Sequence, residues 1–280
     1  MAALCAILSS CRSVPEAEPV LWSELGVPAE QVHEMWTDDV ELRRRYIFKD
    51  CDMMVLAAPG YDTASGRVAI AFGGSGHTPT ATNMVSKDAD AFRRKCMDAG
   101  MMVVLPYCGG NSWGSPESSA IAFRALEHLS KDLGVTVPER VPAFGFSMGG
   151  LAALNFARRY PERVSRVGDI FGAIDLEGMA RSNKNYDRHI RRLYPNEAAL
   201  YEATPFFHTA VLAQKPIAIY HGTADTIVPL EYSERLKKAL EEAGGEVTLV
   251  TVEGMGHRNL ILESIGDELL EFLLQDWKNI

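Results

Sequence analysis

The sequence predicts an α/β fold: a mostly parallel central sheet with helices on both faces and a small cap. Two observations carry this. Short apolar runs alternate with longer amphipathic stretches along most of the chain, the pattern of strand–helix–strand units joined by right-handed crossovers. Glycine-rich or polar clusters then stand at the C-terminal ends of the apolar runs, where such sheets bind ligands. The 280 residues and 47% apolar content suit one domain with a full core. A net charge of -9 argues against general nucleic-acid binding. No apolar run reaches the ~18 residues of a membrane span.

Pro28 opens a helical segment to about Trp36, with proline in a favoured first-turn place. Leu42 to Lys49 and Met53 to Ala58 read as a hairpin around Asp50-Cys51-Asp52. Arg67 to Phe72 is a buried strand that runs into Gly73-Gly74-Ser75-Gly76-His77. Asp88 to Ala99 is an amphipathic helix stopped by Gly100. Met101 to Tyr107 is a strand, and its loop from Cys108 to Pro116 carries Asn111, Trp113 and three glycines. Glu117 to Leu133 is a helix closed by Gly134. Val141 to Phe146 is a strand, Leu151 to Tyr160 a helix and Val167 to Ile174 a strand. Asp175 to Gln214 reads as irregular and polar. The chain ends with strand Pro216 to Tyr220, helix Glu231 to Ala243, strand Glu246 to Val252 and helix Leu260 to Trp277.

Three strand ends carry chemistry. Val141 to Phe146 ends in Gly145-Phe146-Ser147-Met148-Gly149, a Gly-x-Ser-x-Gly turn between a strand and a helix. There a serine hydroxyl stands clear of the backbone, and small neighbours let the chain fold back on itself. The next is His221-Gly222-Thr223-Ala224-Asp225, running on to Val228-Pro229, and the last is Gly254-Met255-Gly256-His257. The order Ser147, Asp225, His257 supplies a hydroxyl nucleophile, a carboxylate and an imidazole base.

From about Leu42 to the C-terminus, these motifs together resemble the α/β-hydrolase superfamily, nearest its dienelactone-hydrolase, acetyl-esterase and prolyl-oligopeptidase-type branch. The resemblance implies a serine hydrolase in which Ser147 attacks, His257 moves the proton and Asp225 orients the imidazole. It also implies an oxyanion site made by the N–H of Met148 and a second donor after the earlier strand. In relatives that loop often reads His-Gly-x-x-Gly; here Phe72 replaces the first histidine, Gly74 aligns best, and Ser75 stays open. His77 and Trp113 stand as substrate contacts, and His221 as structural. Asp175 is the rival acid, because some hydrolases place it at that strand end. No metal-ligand spacing occurs, and the chemistry calls for no cofactor. A serine peptidase of prolyl-oligopeptidase type and a non-catalytic binding scaffold are the alternatives to an esterase.

Two further stretches carry expectations. Leu8-Ser9-Ser10-Cys11 resembles the lipobox of bacterial lipoproteins, which implies a lipid anchor at Cys11, a signal and tether over 1–19 and an envelope or periplasmic place. No Lys or Arg precedes the apolar run, so a cytoplasmic protein is the alternative. Five cysteines without regular spacing give no disulfide framework; Cys51, Cys96 and Cys108 read as buried small hydrophobes. Within 20–280, the segment of about 175–214 is expected to form the cap. Its Arg181, Lys184, Arg188, His189, Arg191 and Arg192, interleaved with Tyr186 and Tyr194, and Arg258 beyond it, point to an anionic or hydroxylated substrate. Short acyl esters and acylated carbohydrates are the expected small-molecule class.

Overall fold

The computed structural model describes residues 32–37 and 39–277. The lipobox match, Cys5 and Cys11 lie outside these residues. β1 (Val32–Thr37), β2 (Leu42–Ile47) and β3 (Asp52–Ala57) form an antiparallel meander. β4 (Val68–Phe72), β5 (Met102–Pro106), β6 (Val141–Phe146), β7 (Val164–Ile170), β8 (Ile217–Gly222) and β9 (Val247–Val252) run parallel. Among the described residues they make one sheet in the order β1-β2-β3-β5-β4-β6-β7-β8-β9, with β3 antiparallel to β5. The mostly parallel sheet is therefore as the sequence predicts.

The hydrophobic faces alternate along each strand, and each face builds its own core. Val55 and Ala57 point to one side, Met54 and Leu56 to the other. Helices α1 (Asp90–Asp98) and, at the end of the chain, α9 (Leu262–Leu274) cover one face through Phe92, Cys96, Leu269 and Leu273. Helices α2 (Pro116–Lys131), α3 (Met148–Arg159) and α8 (Leu230–Glu242) cover the other through Leu126, Leu151, Leu154 and Leu236. Cys51 and Cys96 are buried and Cys108 half-buried, all as free thiols.

Two expectations need correction. Val32 to Trp36 is strand, not helix: β1 pairs with β2 from Val32–Tyr46 to Thr37–Leu42. A short segment gains little from helical propensity alone, whereas the sheet edge offers a full ladder of backbone partners. The second correction is the stretch 175–214, which is helical rather than irregular. It forms α4 (Leu176–Ser182), α5 (Lys184–Leu193), α6 (Glu197–Ala203) and α7 (Thr209–Leu212). Three of its polar residues are caps: the side chains of Asp175, Asn183 and Asn196 accept from Gly178 N, Asn185 N and Ala199 N. Each such cap contributes about 1 kcal/mol.

Candidate active site

Ser147 sits where β6 turns into α3, with φ 55°. The conformation is strained for any residue with a Cβ, and its neighbours hold it. Ser147 N donates to Ile170 O at 2.9 Å, and Ser147 O accepts from Gly150 N at 2.9 Å and Ala173 N at 3.0 Å. A Cβ on Gly145 would collide with the Gly149 carbonyl, and one on Gly149 with the Phe72 carbonyl. The small residues of the turn are thus a packing requirement, as the sequence motif suggests.

The structure brings the three strand ends together. Ser147 Oγ lies 2.9 Å from His257 Nε2, and His257 Nδ1 lies 2.7 Å from Asp225 Oδ2. Asp225 can only accept when ionised, so Nδ1 carries the proton and Nε2 accepts from the serine hydroxyl. The Asp225 side chain is fully buried. Its Oδ1 accepts from Ile227 N at 2.8 Å and Val228 N at 2.9 Å. Burial alone would raise its pKa, but hydrogen bonds from His221, His257 and Val228 outweigh this and hold the carboxyl well below the usual range. His221, itself fully buried, bonds Val228 O at 2.9 Å through Nε2 and Ser233 Oγ at 2.7 Å through Nδ1. It braces the Asp225 turn, in keeping with a structural role. Phe171, at φ 42°, lays its ring 4.5 Å from that of His257.

Asp175, the rival acid, caps α4 and pairs with Arg235 at 3.0 Å, so it is committed elsewhere.

Beside Ser147 and His257 lies a cavity of about 500 Å³. It is lined by Ser75, His77, Thr82, Asn83, Ser86 and Asn259, by Ala81 and Val85, and by Tyr186 from α5, and by no Asp, Glu, Lys or Arg. The oxyanion expectation changes in one respect. The amide of Gly74 already donates to Asn83 Oδ1 at 2.6 Å, so it is not free to meet an anion. Ser75 N makes no hydrogen bond among the described residues, nor does Met148 N at the first turn of α3. His77 lines the cavity but is turned to the loop: Nδ1 donates to Gly74 O at 2.8 Å and the ring meets Tyr107 edge-on. Burial pushes its pKa down, against that hydrogen bond, which keeps the ring neutral.

Trp113 does not contact the cavity. It is 1% exposed, packs against Tyr186 at 5.1 Å, and accepts the Tyr194 hydroxyl on its carbonyl at 2.8 Å. It supports a lining residue instead of being one. None of the cations of 181–192, nor Arg258, lines the cavity. Arg181 and Arg191 pair with Glu177, and Arg191 also with Asp187. Of that cluster only Tyr186 reaches the site. Sequence reasoning missed Asn83 and Asn259: nothing local marks Asn83, and Asn259 is flagged only by standing two residues after His257.

Residues 120–275 match the model of the prolyl oligopeptidase family. The chain belongs to this family. Among curated proteins it is 29% identical over 166 residues to Esterase YjfP of Escherichia coli, covering 55% of this chain and 63% of that one. It is 28% identical over 151 residues to Acyl-protein thioesterase 1 of Gibberella zeae, covering 54% of each. The chain thus matches less than two thirds of the length of these relatives. Among solved structures, an S-formylglutathione hydrolase from Agrobacterium tumefaciens superposes with TM-score 0.70 at 16% identity, over 86% of this chain and 98% of that one. A Mycobacterium tuberculosis puromycin-hydrolyzing peptidase does so with TM-score 0.69 at 21% identity, over 86% and 40%. At these identities the likeness is one of fold, and the fold is that of an α/β-hydrolase.

Proposed function

We propose that this member of the prolyl oligopeptidase family is a serine hydrolase that cleaves carboxylic esters through an acyl-enzyme. The observation that carries the proposal is the unbroken chain from Ser147 Oγ to His257 to the buried Asp225. Ser147 Oγ attacks the ester carbonyl while His257 Nε2 takes its proton. The proton then goes to the departing alcohol, and water repeats the sequence on the acyl-enzyme. Asp225 fixes the imidazole tautomer and offsets its positive charge. The amides of Met148 and Ser75 receive the oxyanion, each donor being worth roughly 3–4 kcal/mol of barrier.

The relatives named esterase and thioesterase support ester cleavage. The hydroxyl and amide side chains of the lining, with no Asp, Glu, Lys or Arg among them, support a short acyl group on a neutral hydroxylated alcohol, such as an acylated sugar, over a long lipid chain or an anion. The test uses p-nitrophenyl acetate, p-nitrophenyl octanoate and acetylated oligosaccharides on wild type and Ser147→Ala, with fluorophosphonate labelling mapped by mass spectrometry. Acetyl turnover above octanoyl, lost in Ser147→Ala, with one label on Ser147, is expected. A label elsewhere or undiminished Ser147→Ala activity would overturn the mechanism. The family match favours a second reading, amide cleavage, and aminoacyl-p-nitroanilides in the same panel decide between them.

A further inference from the structure

Four residues that line the cavity, Gly74, Asn83, Ser86 and Asn259, are joined through a closed ring of hydrogen bonds. Gly74 N donates to Asn83 Oδ1 at 2.6 Å. Asn83 Nδ2 donates to Asn259 Oδ1 at 2.8 Å, and Asn259 Nδ2 to Ser86 Oγ at 3.0 Å. Ser86 Oγ donates to Asn83 O at 2.7 Å and closes the ring. Its direction is dictated from one end. A backbone amide can only donate, so Asn83 must turn its oxygen to Gly74. Its NH₂ then requires the oxygen of Asn259, whose own NH₂ leaves Ser86 Oγ free to give its proton to a carbonyl. Each of the four donor atoms meets an acceptor, and such connected polar networks rigidify what they join.

What it joins is the point. Gly74 immediately precedes Ser75, which lines the cavity and whose amide makes no hydrogen bond among the described residues. Asn259 stands two residues after His257. The third party, the turn 83–86, is fixed independently: the buried Arg93 donates to Met84 O and Ser86 O, both at 2.8 Å, and is itself held by Glu41. We infer that Asn83 and Asn259 are positioning residues that hold the oxyanion loop and the histidine loop in register against this turn, with the Gly74 amide engaged so that, of these two loop amides, that of Ser75 is left to act beside Met148. Neither side chain needs to touch reacting atoms. A displacement of about 1 Å in either loop can cost ~10²-fold in rate.

The inference rests on the proposed serine mechanism, so the test separates the two. Asn83→Ala, Asn259→Ala and the double variant would be compared with wild type in two assays. One is steady-state hydrolysis of p-nitrophenyl acetate. The other is phosphonylation by a p-nitrophenyl alkylphosphonate. In that probe reaction the Ser147 Oγ–P bond forms, the P–O(aryl) bond breaks, p-nitrophenolate leaves and His257 takes the serine proton. Each single variant should lose roughly tenfold or more in kcat and in phosphonylation rate, with KM within about threefold. Because the two act as one unit, the double variant should be no slower than the slower single one. Unchanged rates, strictly multiplicative losses, or losses confined to KM would overturn the inference. Thermal melts identify a variant that fails to fold; if Asn83→Ala does, Asn259→Ala, which keeps the Gly74–Asn83 bond, decides. Wild-type protein that is not phosphonylated would overturn the serine mechanism itself.

Discussion

Asp169 offers a quantitative test of the packing behind the Ser147 turn. It lies on β7, fully buried, and neither carboxyl oxygen has a hydrogen-bond partner among the described residues. Its neighbour in sequence, Ile170, accepts from Ser147 N, and a Cβ on Gly150 would run into its Oδ1. Burial pushes its pKa from 3.8 up to about 7, against the opposing influence of His221 and of the neighbouring Gly172 amide, which stands close without a well-formed hydrogen bond. The sign follows from linkage. Below pH 3.8 the carboxyl is protonated whether the chain is folded or not, and its contribution to stability is whole. Between there and about pH 7 the unfolded chain has released the proton while the folded one keeps it. Stability then falls as pH rises, by about 1.4 kcal/mol per unit. Over the interval the loss is about 4 kcal/mol, and above pH 7 it levels off.

Asp169→Asn removes this titration and nearly nothing of the volume. Any fixed cost of the orphaned amide is independent of pH, so it drops out when slopes are compared. Urea denaturation at pH 5 and pH 8 should show the variant gaining about 3 kcal/mol on wild type between the two. Parallel curves, within about 0.5 kcal/mol, would refute the reasoning and place the Asp169 carboxyl within reach of solvent or a partner.

Further tests address the site. Asp225→Asn should lower kcat about 10³–10⁴-fold, while Asp175→Asn stays within threefold. Asp225 also has a lowered folded pKa, so the stability it contributes is present above about pH 4 and is lost as pH falls; the Asp225→Asn deficit in urea should close in acid. Gly149→Ala drives a Cβ into the Phe72 carbonyl, and should lose activity together with at least about 2 kcal/mol of stability by urea titration. Arg188→Ala/Arg192→Ala should leave kcat/KM for short esters within twofold, since neither guanidinium lines the cavity.

What the sequence disclosed follows from range. The turn at Ser147 is written in five consecutive residues because its constraints are local: Gly145 meets Gly149, and both frame the serine. Asp225 and His257 were legible because strands of a parallel sheet deliver their C-terminal ends to one edge. The Asn83–Asn259 contact joins residues 176 apart with no motif between them, and the loss of the Gly74 amide to Asn83 was hidden with it. β1 was misread because its structure comes from β2 rather than from its own residues. The helices of 176–212 were misread for a different reason. Their Asp and Asn caps were visible in the sequence but were counted as polarity instead of as helix starts.

The backbone of the site carries strain that no local preference selects. Trp113, Ser147 and Phe171 have φ of 43°, 55° and 42°, and among the described residues they are the non-glycines with positive φ. Such a residue costs on the order of 1–3 kcal/mol and persists only where its surroundings over-determine it. Here the surroundings do: Trp113 and Phe171 are each 1% exposed, and Ser147 is tied to β7 through Ile170 O. Each strained residue serves one wall of the site. Ser147 presents the hydroxyl, Phe171 packs the His257 ring, and Trp113 supports Tyr186, which lines the cavity. Glycine would relax φ at all three positions, yet it would remove the hydroxyl or the ring that the conformation exists to place. The two cores beside the sheet therefore do more than stabilise the fold. Their close packing is what allows three unfavourable backbone conformations to set the Ser147 hydroxyl in the cavity wall and the Phe171 and Trp113 rings behind the lining residues His257 and Tyr186.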